Sequence, residues 1–163
     1  MRDWPYSSPM EAKKKRVAKR LNEPVEIGWC ELVDLPELSL FDMHAKIDTG
    51  ANTSSLHATR IRVFEHDGAQ WVRFRSPRSV GHAPQDCEAL LLEKRQITSS
   101  NGTKQDRYVI QTEARLGPLT WRAQITLANR ATMAFPILIG RRALRRGFLV
   151  NSRKRWMLGT PPK

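Results

Sequence analysis

Short apolar segments divided by turn residues run along the chain from Glu26 onward, and several alternate with period two. The clearest covers residues 121–127, where Trp121, Ala123, Ile125 and Leu127 share one face and Arg122, Gln124 and Thr126 the other. That alternation predicts a half-buried strand. Further strands are predicted at 27–33, 41–47, 60–65, 71–75, 87–93, 96–99, 107–112, 137–139, 148–150 and 155–158. Asp67-Gly68 and Asn101-Gly102 mark two hairpin turns, since both dipeptides accept turn geometry with positive φ. One helix is predicted at 141–146, after Gly140. Many short strands with one late helix predict an all-β closed barrel over residues 24–160. Its expected core includes Ile47, Leu56, Val63, Val72, Leu91, Ile110, Ile125, Leu138 and Ile139.

Residues 1–23 break this pattern. They carry Pro5, Pro9 and the run Lys13-Lys14-Lys15-Arg16 with little periodicity, and predict a basic flexible tail outside the folded body. The net charge of +12 resolves the same way. Residues 1–23 carry +4 and residues 141–163 carry +8, while 24–140 hold thirteen basic and thirteen acidic residues. Basic ends of this kind attract either nucleic-acid phosphates or an acidic polypeptide. No run of about eighteen apolar residues is present, which excludes a transmembrane helix. The N-terminus lacks the apolar core of a secretory signal, and the two cysteines, Cys30 and Cys87, read as reduced thiols. The expected location is the cytoplasm, with no membrane partner.

The chemistry concentrates at Asp48-Thr49-Gly50, at the end of the strand predicted over 41–47. A carboxylate there, followed by a hydroxyl and a residue without Cβ, suits the presentation of a catalytic acid. The Thr49 hydroxyl is expected to hold the carboxylate in one orientation. An Asx-type turn satisfies the same three residues equally well. Hydrolysis by carboxylates needs two of them sharing a proton and a water. Since no second Asp-Thr-Gly or Asp-Ser-Gly occurs, the peptidase reading requires two copies, each giving one Asp48.

In their order, Asp48-Thr49-Gly50-Ala51 and Ile137-Leu138-Ile139-Gly140-Arg141 resemble the two halves of the retropepsin signature. Leu35-Pro36-Glu37-Leu38, Ala45-Lys46-Ile47 and Thr53-Ser54-Ser55-Leu56-His57-Ala58 narrow the likeness to a bacterial retropepsin-like family labelled ATP-dependent zinc protease. The resemblance spans roughly residues 26–158. It implies a retropepsin-like (acid protease) barrel and an aspartic mechanism centred on Asp48, with Thr49 and Gly50 orienting it. It also implies association with ATP-grasp ligases of the RimK type, which add glutamates to a ribosomal protein, and with trimming of such tails.

Neither word of that label is supported by motif. There is no Gly-x-x-x-x-Gly-Lys phosphate loop and no His-Glu-x-x-His. His44, Asp48, His57 and Cys87 are permissible zinc ligands, but not at a recognised spacing, so the expectation is no metal and no cofactor. Two departures from the retroviral pattern stand out. Lys46 occupies a usually aliphatic position, and Asn52 replaces the acid that pairs with the Arg matched here by Arg141. Arg141 must therefore bond Asn52, pair elsewhere, or meet an acidic substrate. The expected substrate-binding set is Lys46, Ala51, Asn52, Arg130 and Arg141, with Asn101 and Gly102 at the tip of a flap and Asp67-Gly68 as a rival tip. The expected partners are an acidic polypeptide and a second copy of the chain. The competing reading is a non-catalytic binding domain.

Overall fold

The computed structural model describes residues 23–79, 81–98, 101–129 and 134–161. The basic tail and Arg130 lie outside the described residues, apart from Glu23. Eleven strands, a 3-10 turn and one short α-helix follow in order: β1 Val25–Gly28, β2 Cys30–Leu35, the 3-10 turn Pro36–Leu38, β3 Leu40–Ile47, β4 Ser54–His57, β5 Thr59–His66, β6 Ala69–Arg75, β7 Asp86–Thr98, β8 Lys104–Leu116, β9 Leu119–Ala128, β10 Ile137–Ile139, α1 Arg141–Leu144 and β11 Phe148–Asn151.

Six of these strands close on themselves in the order β2-β3-β10-β4-β9-β8, with β8 returning to β2. Closure rests on the pairing of Asp34 with Arg115, and the same two residues form an ion pair at 2.5 Å. The expected all-β closed barrel is therefore the fold. Its interior is filled by β-branched and aliphatic side chains, among them Val33, Leu56, Ile110, Ile125 and Ile137, all fully buried. Each such side chain contributes roughly 1.5–3 kcal/mol relative to exposure. From β8 the sheet runs on through β7, β6 and β5, outside the closed part. β1 and β11 form a separate parallel pair.

The structure departs from the sequence pattern at several points. The strand expected at 27–33 breaks at Trp29, where the chain changes partners. Up to Gly28 it pairs with β11, and from Cys30 it pairs with β3. The segments at 87–93 and 96–99 are one strand, β7, bent by a register shift between Leu91 and Glu93. Leu91 is only partly buried there, and Val63 on β5, at the edge of the sheet among the described residues, is 39% exposed. The other expected core residues are buried. Along β9 the alternation holds except at Thr126, which is buried as well. Residues 155–158 form no strand. The Met157 and Leu158 N–H groups donate instead to the carboxyl of Glu31, and the Trp156 N–H donates to the Cys30 carbonyl. The helix expected over 141–146 is a single turn.

The hairpin at Asp67-Gly68 has positive φ at both residues, 49° and 74°, which matches the twist of its strands. At the other hairpin Gly102 has positive φ (81°), and Asn101 Oδ1 accepts from the Thr103 N–H at 3.1 Å.

Candidate active site

β10 lies between β3 and β4, parallel to the first and antiparallel to the second. This insertion builds the site. The loop 48–53 leaves β3 beside the end of β10, so the Asp48 N–H donates to the Ile139 carbonyl at 2.9 Å. Asp48 is half-buried. Its Oδ1 accepts from the Gly50 N–H at 2.9 Å and the Ala51 N–H at 3.1 Å. Backbone donors of this sort hold a carboxylate in one orientation. A Cβ on Gly50 would stand 3.2 Å from that oxygen, so glycine leaves the carboxylate room to turn back on its own loop. The Thr49 hydroxyl, expected to orient Asp48, is exposed and is not what fixes it.

The second motif half grips the same loop from the other side. The Gly140 N–H donates to Ser54 Oγ at 3.2 Å, the Arg141 N–H to the Ala51 carbonyl at 2.8 Å, and the Arg142 N–H to the Asn52 carbonyl at 3.2 Å. A Cβ on Gly140 would lie 2.6 Å from the backbone carbonyl of Thr53, so only glycine permits this approach. The Arg141 guanidinium donates to the carbonyls of Thr49 and Gly50. Among the described residues its guanidinium thus bonds the backbone of the Asp48 loop and not the Asn52 side chain.

The other expected residues are dispersed around this centre. Lys46 is exposed on the outer side of β3, opposite Leu138 and Cys30 in register. Asn52 is exposed and Ala51 half-buried within the loop. Asn101 and Gly102 are exposed at the β7–β8 tip.

Sequence reasoning missed two features. Ser54 carries the Gly140 contact, and the only hint of it was the Thr53-Ser54-Ser55 run after the loop. Trp29, 36% exposed, packs edge-on to Phe135 at 5.8 Å between ring centroids, and its carbonyl accepts from the Ile47 N–H at 2.9 Å. The Trp29 backbone thus pairs with the residue that precedes Asp48. The break at Gly28-Trp29 is silent in the hydrophobic pattern.

The zinc-type donors do not suit a common ion. Among the described residues no three His, Cys, Asp or Glu side chains converge. The His44 ring lies against Trp156 at 4.8 Å, and burial lowers its pKa. The Cys87 thiol is buried against the Leu38 carbonyl, and that burial pushes its pKa up to about 11. The chemistry of the loop is thus that of one oriented carboxylate per chain.

Residues 26–159 match the model of a family described as RimB-like, retropepsin-like aspartic endopeptidase RimB. A probable alpha-L-glutamate ligase of Shewanella pealeana is 36% identical over 138 residues, covering 80% of this chain and 28% of the relative. One from Desulfotalea psychrophila is 34% identical over 137 residues, covering 83% and 29%. The chain thus spans under a third of the length of these curated relatives. A crystal structure of a Legionella pneumophila protein of unknown function (DUF785) superposes with a TM-score of 0.70 at 27% identity, covering 85% of this chain and 99% of that one.

Proposed function

The chain belongs to the RimB-like family, and from that premise we propose that it is an aspartic-type peptidase acting on acidic, glutamate-rich protein tails. The observation that carries this reading is the Asp48 carboxylate, held through Oδ1 alone by the Gly50 and Ala51 N–H groups. In this mechanism two copies of the chain bring their Asp48 side chains together. One, ionised, takes a proton from water. The other, protonated, donates to the scissile carbonyl as the water oxygen attacks its carbon. The tetrahedral adduct then collapses, and its C–N bond breaks as the nitrogen takes the proton held by the first carboxyl and leaves as an amine. Two like charges in contact do not both ionise, which gives the pair its single shared proton.

The substrate class draws on two supports. The matched relatives are named for glutamate ligation, and a peptidase resembling part of such proteins has the reverse reaction, hydrolysis of added glutamates, within its chemical reach. A ribosomal protein and a RimK-type ligase are the corresponding partners. The basic C-terminal stretch offsets the repulsion between an acidic tail and the catalytic carboxylates. A second reading, a binding domain serving the same modification without hydrolysis, is favoured by the single Asp-Thr-Gly per chain.

The test is incubation of wild type and Asp48→Asn with acidic, neutral and basic peptides, followed by mass spectrometry. Wild type should cleave the acidic set preferentially. Asp48→Asn should lose at least about 10²-fold in rate with an unchanged melting temperature, because Asn keeps an oxygen for the Gly50 and Ala51 N–H groups. Equal cleavage of all three sets removes the charge argument and keeps the peptidase. No cleavage by a demonstrated dimer leaves the binding domain.

A further inference from the structure

A groove of about 520 Å³ opens behind the β7–β8 hairpin, between the start of β5, the start of β8 and the end of β9. Ile61 and Leu127 supply apolar lining, and Arg60, Arg107 and Gln105 supply polar lining. Its one acid, Asp106, is held by Lys94 at 2.9 Å. Among the described residues neither Arg60 nor Arg107 forms an ion pair. Arg107 instead faces Arg95 across the hairpin, and Arg95 is taken by Glu93. The groove is therefore a concentration of unneutralised guanidinium beside hydrogen-bonding amide and apolar surface.

The backbone at Arg60 is the second observation. Its φ is +52°, a region that a side chain with a Cβ adopts reluctantly. The β5–β6 register also shifts between Thr59 and Arg62, which is a bulge. Bulges re-aim side chains, and strained non-glycine residues persist where the surroundings hold them to a purpose. Arg60, at this bulge, is one of the residues that line the groove. The groove also has a fixed relation to the Asp48 loop. β4 runs from Ser54, which touches Gly140, to His57, which pairs with Ala128 at the groove. That separation is about 10 Å along the strand, within reach of a few extended residues.

We propose that this groove is a secondary binding site for an acidic segment of the polypeptide substrate, with Arg60 and Arg107 each receiving carboxylate oxygens. The proposal rests on the acidic-tail reading above. Guanidinium suits this role because its planar fork meets a carboxylate through two parallel hydrogen bonds. A tail anchored here has its neighbouring residues free to extend toward Asp48, so distal glutamates raise affinity without touching the reacting bond.

The experiment measures binding of a fluorescent hexaglutamate peptide to the full chain in the Asp48→Asn background, with Arg60→Gly, Arg107→Gln and both together. Each single substitution should weaken binding about tenfold, and the double variant should show a shallower salt dependence. Arg60→Gly should melt at the same or a higher temperature, since glycine accepts the backbone angle. A purely structural Arg60 would give the thermal effect without the loss of binding. Wild-type affinity in the double variant overturns the proposal. So does arginine-dependent binding of a short single-stranded RNA with none of hexaglutamate. The same two arginine substitutions made with Asp48 intact, if they leave the KM for acidic peptides at the wild-type value, reject the groove and keep the peptidase. Arginine-dependent hexaglutamate binding without cleavage of any peptide does the reverse.

Discussion

Arg141 donates through one guanidinium nitrogen to the carbonyl oxygens of both Thr49 and Gly50, at 2.9 Å each, across 92 residues of sequence in the first case. Its own N–H holds the Ala51 carbonyl. Side chain and backbone thus bind three consecutive residues of the loop that carries Asp48. A cation so engaged holds the carboxylate's loop through one of its three nitrogens.

Replacing Arg141 by Ala should therefore lower kcat at least about tenfold while changing KM for acidic peptides less than about threefold. The fold should lose about 1–2 kcal/mol. Arg141→Lys should recover only part of the rate, because a single ammonium does not reproduce the guanidinium geometry. Steady-state kinetics on the three proteins check this. A raised KM with intact kcat would make Arg141 a substrate ligand instead.

Glu31 is fully buried, and its carboxyl accepts from the N–H groups of Gly28 (2.7 Å), Met157 (3.0 Å) and Leu158 (3.2 Å). It ties the C-terminal segment to the break before Trp29. Glu31→Ala leaves three donors without a partner, and should cost about 2–5 kcal/mol in a urea titration. A change below about 0.5 kcal/mol would mean that water replaces the carboxyl without loss.

Burial holds the Cys87 thiol neutral, with a pKa of about 11 against an ordinary value of 9.0. A folded pKa raised above the unfolded one gives stability that is complete below pH 9 and is lost as pH rises toward 11. Cys87→Ser should flatten that part of the stability profile relative to wild type. Native protein should resist iodoacetamide at pH 8, and the unfolded chain should react. Rapid native labelling of Cys87 would contradict this account.

Gly140→Ala drives a methyl to within 2.6 Å of the Thr53 carbonyl. The neighbour is backbone, so the strain has no flexible side chain to absorb it. A loss of about 1–3 kcal/mol is expected in thermal melts. Activity should fall with it, since the displaced segment includes the Ile139 carbonyl that receives the Asp48 N–H.

The legible part of this molecule was whatever is written locally. Alternation along 121–127 gave the buried face of β9, and Asp67-Gly68 gave a tight turn. Asp48-Thr49-Gly50 and Gly140-Arg141 were visible as two halves of one motif, although their hydrogen bonds were not. What stayed hidden depends on the identity of the neighbouring strand. Val63 has the pattern of a core residue but lies on β5, which ends the sheet among the described residues. Trp29 sits where the chain exchanges β11 for β3, and no local signal marks an exchange. Arg60 looks like an ordinary surface residue, with no local sign of its bulge or of the groove it lines. Asp34 and Arg115 close the barrel across 81 residues, beyond the reach of any periodicity.

The position of β10 between β3 and β4 also sets the order in which this chain acquires its chemistry. Contacts so distant in sequence form late, because the loop they close is long. During synthesis, β3 and β4 emerge many residues before the strand that must slide between them. Until residues 137–141 are made, the Asp48 N–H has no Ile139 carbonyl and the loop no Arg141. A nascent copy is thus an unarmed one, and a fragment ending before residue 137 should show none of the cleavage proposed for the whole chain.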